Sequence, residues 1–345
     1  MEKDTMKIFP KVSIVMAVYR PNIKWLIQQL ESLNQQDYEG DMELLVWNDS
    51  PDSLDSTECN VLLQKYITNF PFKLLADGRT HGATRAFEKL TELSDGRYIA
   101  YCDQDDVWLP GKIRTAVRMM EEHSEYLICH IGISLIDDQG SIFSHLSYPD
   151  ELSVVNESSY QQRMFILHNF AFGCAMLVRS DFAKGVLPFP GHGVYHDQWI
   201  VCCAAYIGRV VFMEEKLILH RIHMDNNSSL LHGISSKHEY YIKKLARDTE
   251  LVLSLQAWYE AAARSQENEQ YAGKGNALSM ICRWIEARNA YCHTQDITNL
   301  MNLVRSSHVR PDITFFEVLL PFMPETVFKK FIAFLQEYGM YARSG

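Results

Sequence analysis

Residues 103–106 read Asp-Gln-Asp-Asp, directly behind the apolar run Tyr98-Ile99-Ala100-Tyr101-Cys102, which is bounded upstream by Asp95-Gly96. Three carboxylates this close raise one another's pKa and resist desolvation, so a positive charge belongs among them. Carboxylates spaced D-x-D behind a hydrophobic strand suit a divalent cation that bridges the phosphates of a nucleotide. Their hard oxygens match Mg²⁺ or Mn²⁺, and the ion offsets the carboxylates and the diphosphate together. The same residues also suit a solvated turn, or the start of a helix entered at Pro110, where the helix dipole favours negative charge. The surrounding elements decide between these readings.

The first half of the chain alternates strand and helix patterns. Strands are predicted at 11–19, 42–49, 72–77, 97–102 and 126–137, and helices at 21–36, 59–70, 82–94 and 110–123. Strands alternating with helices of this length imply a mostly parallel sheet flanked by helices, an α/β, Rossmann-like arrangement. In such sheets ligands lie beyond the carboxyl ends of the strands. Asp49, Asp77 and the 103–106 cluster each sit at such an end, and this coincidence is the first functional sign. Beyond about residue 160 the pattern shifts to a strand entering a helix at "FAFGCAMLVRSDF", a buried helix at "YHDQWIVCCAAYIG" and strand patterns in "RVVFMEEKLILHRIH". From 233 onward the chain reads as helical, with a polar break at 264–276.

The 345 residues suffice for one large domain with an extension, or for two domains. A net charge of −10 argues against a general nucleic-acid binder, which carries a basic stripe. Eight cysteines without a CxxC pair fit reduced, buried thiols and a cytoplasmic setting better than a disulfide framework. The charged N-terminus leads into only a short apolar run, and no apolar window of about 18 residues occurs, so a soluble or membrane-peripheral protein is expected. No GxSxG, P-loop or GxGxxG points to nucleophilic or P-loop chemistry.

Six ordered motifs extend the pattern: "VSIVMAVYRP", "ELLVWNDSPD", "HGATRAFEKLTELSDGRYIAYCDQDDVW", "FGCAMLVRSD", "HDQWI" and "LHRIHMDNNSS". Through them roughly residues 10–230 resemble glycosyltransferase family 2, whose fold is GT-A. "DQDDVW" followed by "HDQW" and "RxHxxN" resembles its rhamnosyltransferase-like branch of bacterial surface-polysaccharide enzymes. The resemblance implies a GT-A domain over 1–235, with a nucleotide-sugar half at about 10–125 and an acceptor half at about 126–235. A helical C-terminal extension would follow over 236–345.

Carried over residue by residue, the resemblance implies that Ala17, Val18 and Tyr19 line the nucleotide pocket and that Asp49 accepts a hydrogen bond from a pyrimidine N–H. Asp49 equally suits an Asx turn, and Asn48 stands where relatives carry a first acid. Gly82 and Arg85 would meet a phosphate at a helix start, although Arg85 also suits a surface helix. Asp103 would face the ribose or the metal's water shell, and Asp105 would bind Mn²⁺ or Mg²⁺ directly. Asp106 would cap the next helix or support the site. His220 and His223 compete to complete the metal site; the "R-x-H" spacing favours His223, and either also serves as a core histidine. Arg221 would contact the diphosphate or form a surface ion pair. Asp197 of "HDQW" occupies the catalytic-base position, or else caps its helix. His196 stands where relatives often carry Glu. Gly173, Cys174, His196 and Trp199 would lie toward the acceptor.

The implied reaction is inverting transfer from a UDP- or dTDP-sugar to a saccharide or lipid-linked saccharide. The alternative is a non-catalytic sugar-nucleotide-binding scaffold of the same fold, against which intact Asp105 and Asp197 weigh. The stretch 311–338, rich in Phe, Leu and Ile with Lys329-Lys330, either packs back on the protein or meets a partner or the cytoplasmic face of the inner membrane.

Overall fold

The computed structural model describes residues 9–146, 154–155, 166, 171–191, 193–207, 209–223, 231, 233–265 and 275–341. The end of the last motif (224–229) and most of the polar break (266–274) lie outside the described residues. The strands are β1 (Val12–Val18), β2 (Met42–Asn48), β3 (Phe72–Leu75), β4 (Tyr98–Cys102), β5 (Val107–Trp108), β6 (Tyr126–Ile136), β7 (Ile142–His145), β8 (Val154–Val155), β9 (Met176–Arg179) and β10 (Arg209–Arg221). The helices among them are α1 (Ile23–Asn34), α2 (Ser56–Tyr66), α3 (Ala83–Leu93), α4 (Lys112–Glu122), α5 (Ser180–Gly185) and α6 (His196–Ile207). The C-terminal helices are α7 (Lys237–Glu239), α8 (Ala246–Ser265), α9 (Gly275–His293), α10 (Ile297–Arg305), α11 (Pro311–Leu319) and α12 (Glu325–Tyr341).

Two compact units interleave along the chain. The first comprises Met1–Val154, Ala171–Phe189 and Gly208–Ile222; the second comprises Val155–Phe170, Pro190–Ile207 and His223–Gly345. A single cut near 235 does not describe this division, because the "HDQW" helix α6 belongs with the C-terminal helices.

In the first unit the strand order is β3-β2-β1-β4-β9-β6-β10-β5, with β7 on β6. The four strands from β3 to β4 run parallel, and β9 lies antiparallel between β4 and β6. Parallel strands covered on both faces need near-continuous apolar runs. Val12, Ile14, Val15, Met16, Leu44, Val46, Ile99 and Ala100 are accordingly buried. Helix α1 is started by Asn22, whose side chain accepts from the Lys24 and Trp25 N–H groups, and it sends Leu26, Leu30 and Leu33 inward. Helix α2 starts earlier than its apolar spacing suggests, because Asp55 caps it, and it stops at Tyr66 where Ile67 turns extended. Each fully buried aliphatic side chain contributes about 1.5–3 kcal/mol. Gly96 is demanded by contact: a Cβ there would lie 2.6 Å from the Ser13 backbone nitrogen.

The register brings the carboxyl ends of the parallel strands to one edge, with β4 stopping two residues short of β1 and β2. Val18 pairs with Asn48, Trp47 with Leu75, and Met16 with Cys102. Asp49 and Asp103 are the first residues past the ends of β2 and β4, the two strands that flank β1.

Apart from Val155 of β8, the regular structure among the second unit's described residues is helical. Arg288 is buried in a fork on Glu317, with Nε 2.9 Å from Oε2 and Nη2 2.6 Å from Oε1, and it also reaches Asp248 at 3.3 Å. Tyr240, in a π-helical segment (Tyr240–Leu245), donates to the same Glu317 at 2.8 Å. The Trp284 indole donates to Thr314 at 2.9 Å. Leu320, Phe328 and Ile332 close an apolar cluster with Ile234 and Tyr240. One face of 311–338 thus packs inside its own unit. No helix among the described residues is long and apolar enough to cross a membrane.

Candidate active site

The acidic loop joins β4 to β5 and is held at three points. The Gln104 side-chain amide makes a two-way clamp on Tyr19, accepting from its N–H and donating to its carbonyl, each at 2.8 Å. The Asp105 carbonyl accepts from Arg221 Nε at 2.9 Å. Asp106, fully buried, accepts from His220 Nδ1 at 2.9 Å and from the Arg221 N–H at 3.0 Å. The loop is thereby tied to the ends of β1 and β10. Asp103 and Asp105, both half-buried, are left at its crest. Asp106 does not cap α4, whose N-cap is Gly111 without a side-chain bond. It is the loop's internal support.

Electrostatics follow from burial. Burial opposes the charged form of His220, but the Asp106 carboxylate overrides it and lifts the imidazole pKa to about 9. Burial likewise works against the Asp106 carboxylate, and the histidinium holds its pKa below the ordinary value. The pair is therefore ionic at neutral pH. Lys112, at the start of α4, runs back into the core over the Trp108 ring. Its Nζ is buried without a hydrogen-bond partner among the described residues, and burial lowers its pKa to about 7.

Cys174, in the short 3-10 turn Gly173–Ala175, places its Sγ 3.9 Å from His220 Nδ1. One donor atom from each of Asp103, Asp106, Cys174 and His220 lies within 4.8 Å of the others. As a metal site this set divides by chemistry. Burial, reinforced by Asp106, pushes the Cys174 thiol well up, and Asp106 already occupies His220 Nδ1. Of the four, Asp103 offers a hard, half-buried carboxylate that suits Mg²⁺ or Mn²⁺, and Asp105 is not among them.

Asp49 is buried at the next strand end, and its two oxygens accept from the His81 and Gly82 N–H groups at 2.7 and 2.8 Å. It shapes the loop before α3. Gly82 has φ +85°, a region that favours glycine, and has nothing within 4 Å of where a Cβ would stand. Asn48 closes its own turn, donating to the Leu54 carbonyl and accepting from Ser50 N–H. Of the other pocket residues expected here, Val18 is buried, Ala17 is half-buried and Tyr19 is exposed. Arg85 bonds to Glu88 at 2.6 Å and to the Phe189 carbonyl at 3.0 Å. The Arg221 guanidinium is similarly engaged, by the Asp105 and Asp137 carbonyls and by Gln28, and lies over Trp25. In this geometry both arginines organise the backbone.

The remaining expected residues belong to the second unit. Asp197 stands in the first turn of α6, with its Oδ1 2.6 Å from the Gln198 N–H. His196 is buried, and burial lowers its pKa to about 3, leaving it neutral. Trp199 meets Trp258 edge to face at 6.4 Å. His223 is half-buried and opens the segment His223–Gly345. The sequence reading did not single out Gln104 or Lys112. Gln104 carries no signal of its clamp, and Lys112 in "PGKIR" looks like any helix-face lysine.

Comparison with known proteins identifies the family. A glycosyltransferase of Methanocaldococcus jannaschii is 25% identical over 240 residues, covering 68% of this chain and 79% of its own length. The Escherichia coli UDP-Glc:alpha-D-GlcNAc-diphosphoundecaprenol beta-1,3-glucosyltransferase WfgD is 27% identical over 179 residues, covering 52% of this chain and 64% of its own. The match to a longer glycosyltransferase of Rickettsia bellii spans only 20% of that protein. Among solved structures, S. aureus TarS 1-349 in complex with UDP-GlcNAc has a TM-score of 0.54 at 14% identity, covering 86% of this chain and 79% of that chain, a likeness of fold. The family profile described as Glycosyl transferase family 2 matches residues 13–186, half of the chain. The chain belongs to glycosyltransferase family 2.

Proposed function

We propose that this protein transfers a sugar, with inversion, from a UDP- or dTDP-linked donor to a saccharide or lipid-linked saccharide during surface-polysaccharide synthesis. The observation that carries the reading is the pinned acidic loop, which offers Asp103 and Asp105 past the carboxyl end of β4, at the same edge of the parallel strands as Asp49 past the end of β2. WfgD, whose name gives a UDP-glucose donor and a diphosphoundecaprenol-linked acceptor, supports the donor and acceptor classes.

In this reading Asp105, with Asp103 beside it, holds Mn²⁺ or Mg²⁺, which supplies charge neutralisation for the nucleoside diphosphate. Gln104, Asp106 and Arg221 keep the loop in place before the donor arrives, so little reorganisation is needed on binding. The Gly82 turn, held by Asp49, leaves an open backbone for the nucleotide, and Ala17, Val18 and Tyr19 line its base. Asp197 takes the proton of the acceptor hydroxyl as that oxygen bonds to the anomeric carbon. The carbon's bond to the diphosphate oxygen breaks on the opposite face, and the electron pair leaves with the nucleotide.

Calorimetry tests the donor half. UDP- or dTDP-sugar should bind in the presence of Mn²⁺, and Asp105→Asn should abolish the metal-dependent part while leaving the melting temperature within about 1 °C, since the carboxylate contributes little to the core. Unchanged affinity in the variant removes Asp105 from the metal site.

A further inference from the structure

We propose that the exposed apolar face of α11, α12 and the turn between them docks on an anionic phospholipid surface. The proposal deepens, and rests on, the reading that the acceptor is lipid-linked.

The apolar residues of 311–338 divide cleanly. Leu320, Phe328 and Ile332 are fully buried, whereas Phe315 is 68% exposed, Phe322 80% and Phe334 51%, with Leu319, Val327 and Phe331 exposed beside them. Val327, Phe331 and Phe334 follow i, i+4, i+7 spacing, so they form one stripe along α12; Phe315 and Leu319 repeat the i, i+4 step on α11. The Phe316 and Phe331 rings stack at 5.5 Å, which joins the two helices into one face. A contiguous exposed face of this kind marks an interaction site rather than scattered surface apolarity.

Charge selects the occupant. Lys329 and Lys330 are exposed on α12, and neither makes an ion pair among the described residues. Lys330 lies three positions after Val327 and four before Phe334, at the edge of the apolar stripe. Between 313 and 336 no carboxylate is exposed: Glu317 is buried on Arg288, and Glu325 is half-buried with its Oε1 accepting from the Lys237 N–H at 3.1 Å. Asp312, exposed three positions before Phe315, is paired with Arg310 at 2.6 Å, so in a chain of net charge −10 the two lysines are the uncompensated charges among the described side chains of this face. Aromatic and aliphatic groups bordered by lysine suit the headgroup boundary of an anionic bilayer. A second copy of the chain fits less well, because a two-fold contact through this patch brings its lysines toward their own counterparts.

The test uses full-length protein and sedimentation with phosphatidylcholine vesicles, with and without phosphatidylglycerol. The wild type should partition onto the anionic vesicles and much less onto the neutral ones. Lys329→Gln with Lys330→Gln should weaken that binding about 25-fold, from roughly a fivefold contribution per lysine. Phe322→Ser with Phe334→Ser should weaken it at least about tenfold. All four sites are exposed, so the variants should melt with the wild type; a control for folding is calorimetric donor binding in each preparation. Wild-type protein that stays in the supernatant, equal binding to neutral vesicles, or variants that bind as the wild type does would overturn the proposal. So would a stable dimer, seen by sedimentation equilibrium, that Phe322→Ser dissociates while vesicle binding is absent. Donor binding without vesicle binding sinks the docking face alone, and vesicle binding without donor binding sinks the proposed reaction alone.

Discussion

Two buried bases lie in the core behind the acidic loop, and they respond to pH in opposite senses. His220, raised from 6.5 to about 9, contributes stability that is complete below pH 6.5 and is lost as the pH rises through 9. Lys112, lowered from 10.5 to about 7, does the reverse. Below pH 7 the folded protein carries a buried ammonium, and that cost fades as the pH climbs toward 10.5. In the alkaline range the two trends offset each other, so each substitution should unmask the other. Lys112→Met should stabilise by about 2–4 kcal/mol near pH 6 and leave a steeper alkaline loss. His220→Gln strands Asp106 without its counter-charge, and should cost about 3–5 kcal/mol near pH 6. The remaining profile of that variant should rise between pH 7 and 10. Denaturant titrations across that range decide the matter: parallel profiles for the two variants would refute the opposition.

The elements nearest the chemistry are short turns at strand ends, and their readability from sequence was uneven. The strands showed themselves as apolar runs, and Asp49 and Asp103 stood out because each follows one directly. What holds those acids in place was hidden. Asp106 is 114 positions from His220, and nothing in either neighbourhood announces the other. The "R-x-H" spacing drew attention to His223, and it gave no sign that His220 bonds Asp106 of the acidic loop. In the tail, Phe322 and Phe328 read alike in sequence, yet one is 80% exposed and the other buried. Only packing separates such residues in a stretch that is apolar on several sides. At Gly82 the element-scale expectation is specific. Gly82→Ala meets no neighbour within 4 Å, so its cost is the backbone's alone, about 1–3 kcal/mol at φ +85°, ψ 153°, a region nearly confined to glycine. Relaxation of the turn should detach it from Asp49 and weaken donor binding by calorimetry; wild-type affinity would show that the turn does not shape the nucleotide site. At the start of α6, Asp197→Asn should lower transfer by about two to four orders of magnitude with donor affinity unchanged. Near-normal turnover in single-turnover assays would place the base elsewhere.

At the scale of the molecule, the strand-built first unit carries the acidic loop, and the helical second unit carries Asp197 and the exposed tail face. The second unit has its own internal lock. Glu317 receives the Arg288 fork and the Tyr240 hydroxyl while fully buried, and Asp248 holds the other side of Arg288 and pairs with Lys244. Deleting 311–345 would therefore strip a buried arginine of its main partner, which makes truncation a poor probe of the tail's surface. The point substitution is more telling. Glu317→Ala should destabilise the second unit by about 3–5 kcal/mol, because Arg288 is left as a buried charge with one partner at 3.3 Å. Glu317→Gln, which keeps an acceptor for Tyr240, should cost less. If the lock belongs to the second unit alone, hydrogen exchange in the alanine variant should quicken in Tyr240–Leu245, α8 and α9, while the amides of β1, β2 and β4 keep their wild-type protection. Donor binding in the first unit should survive at temperatures below the variant's transition. A uniform rise in exchange across both units, with donor binding lost in step, would show that they unfold as one body.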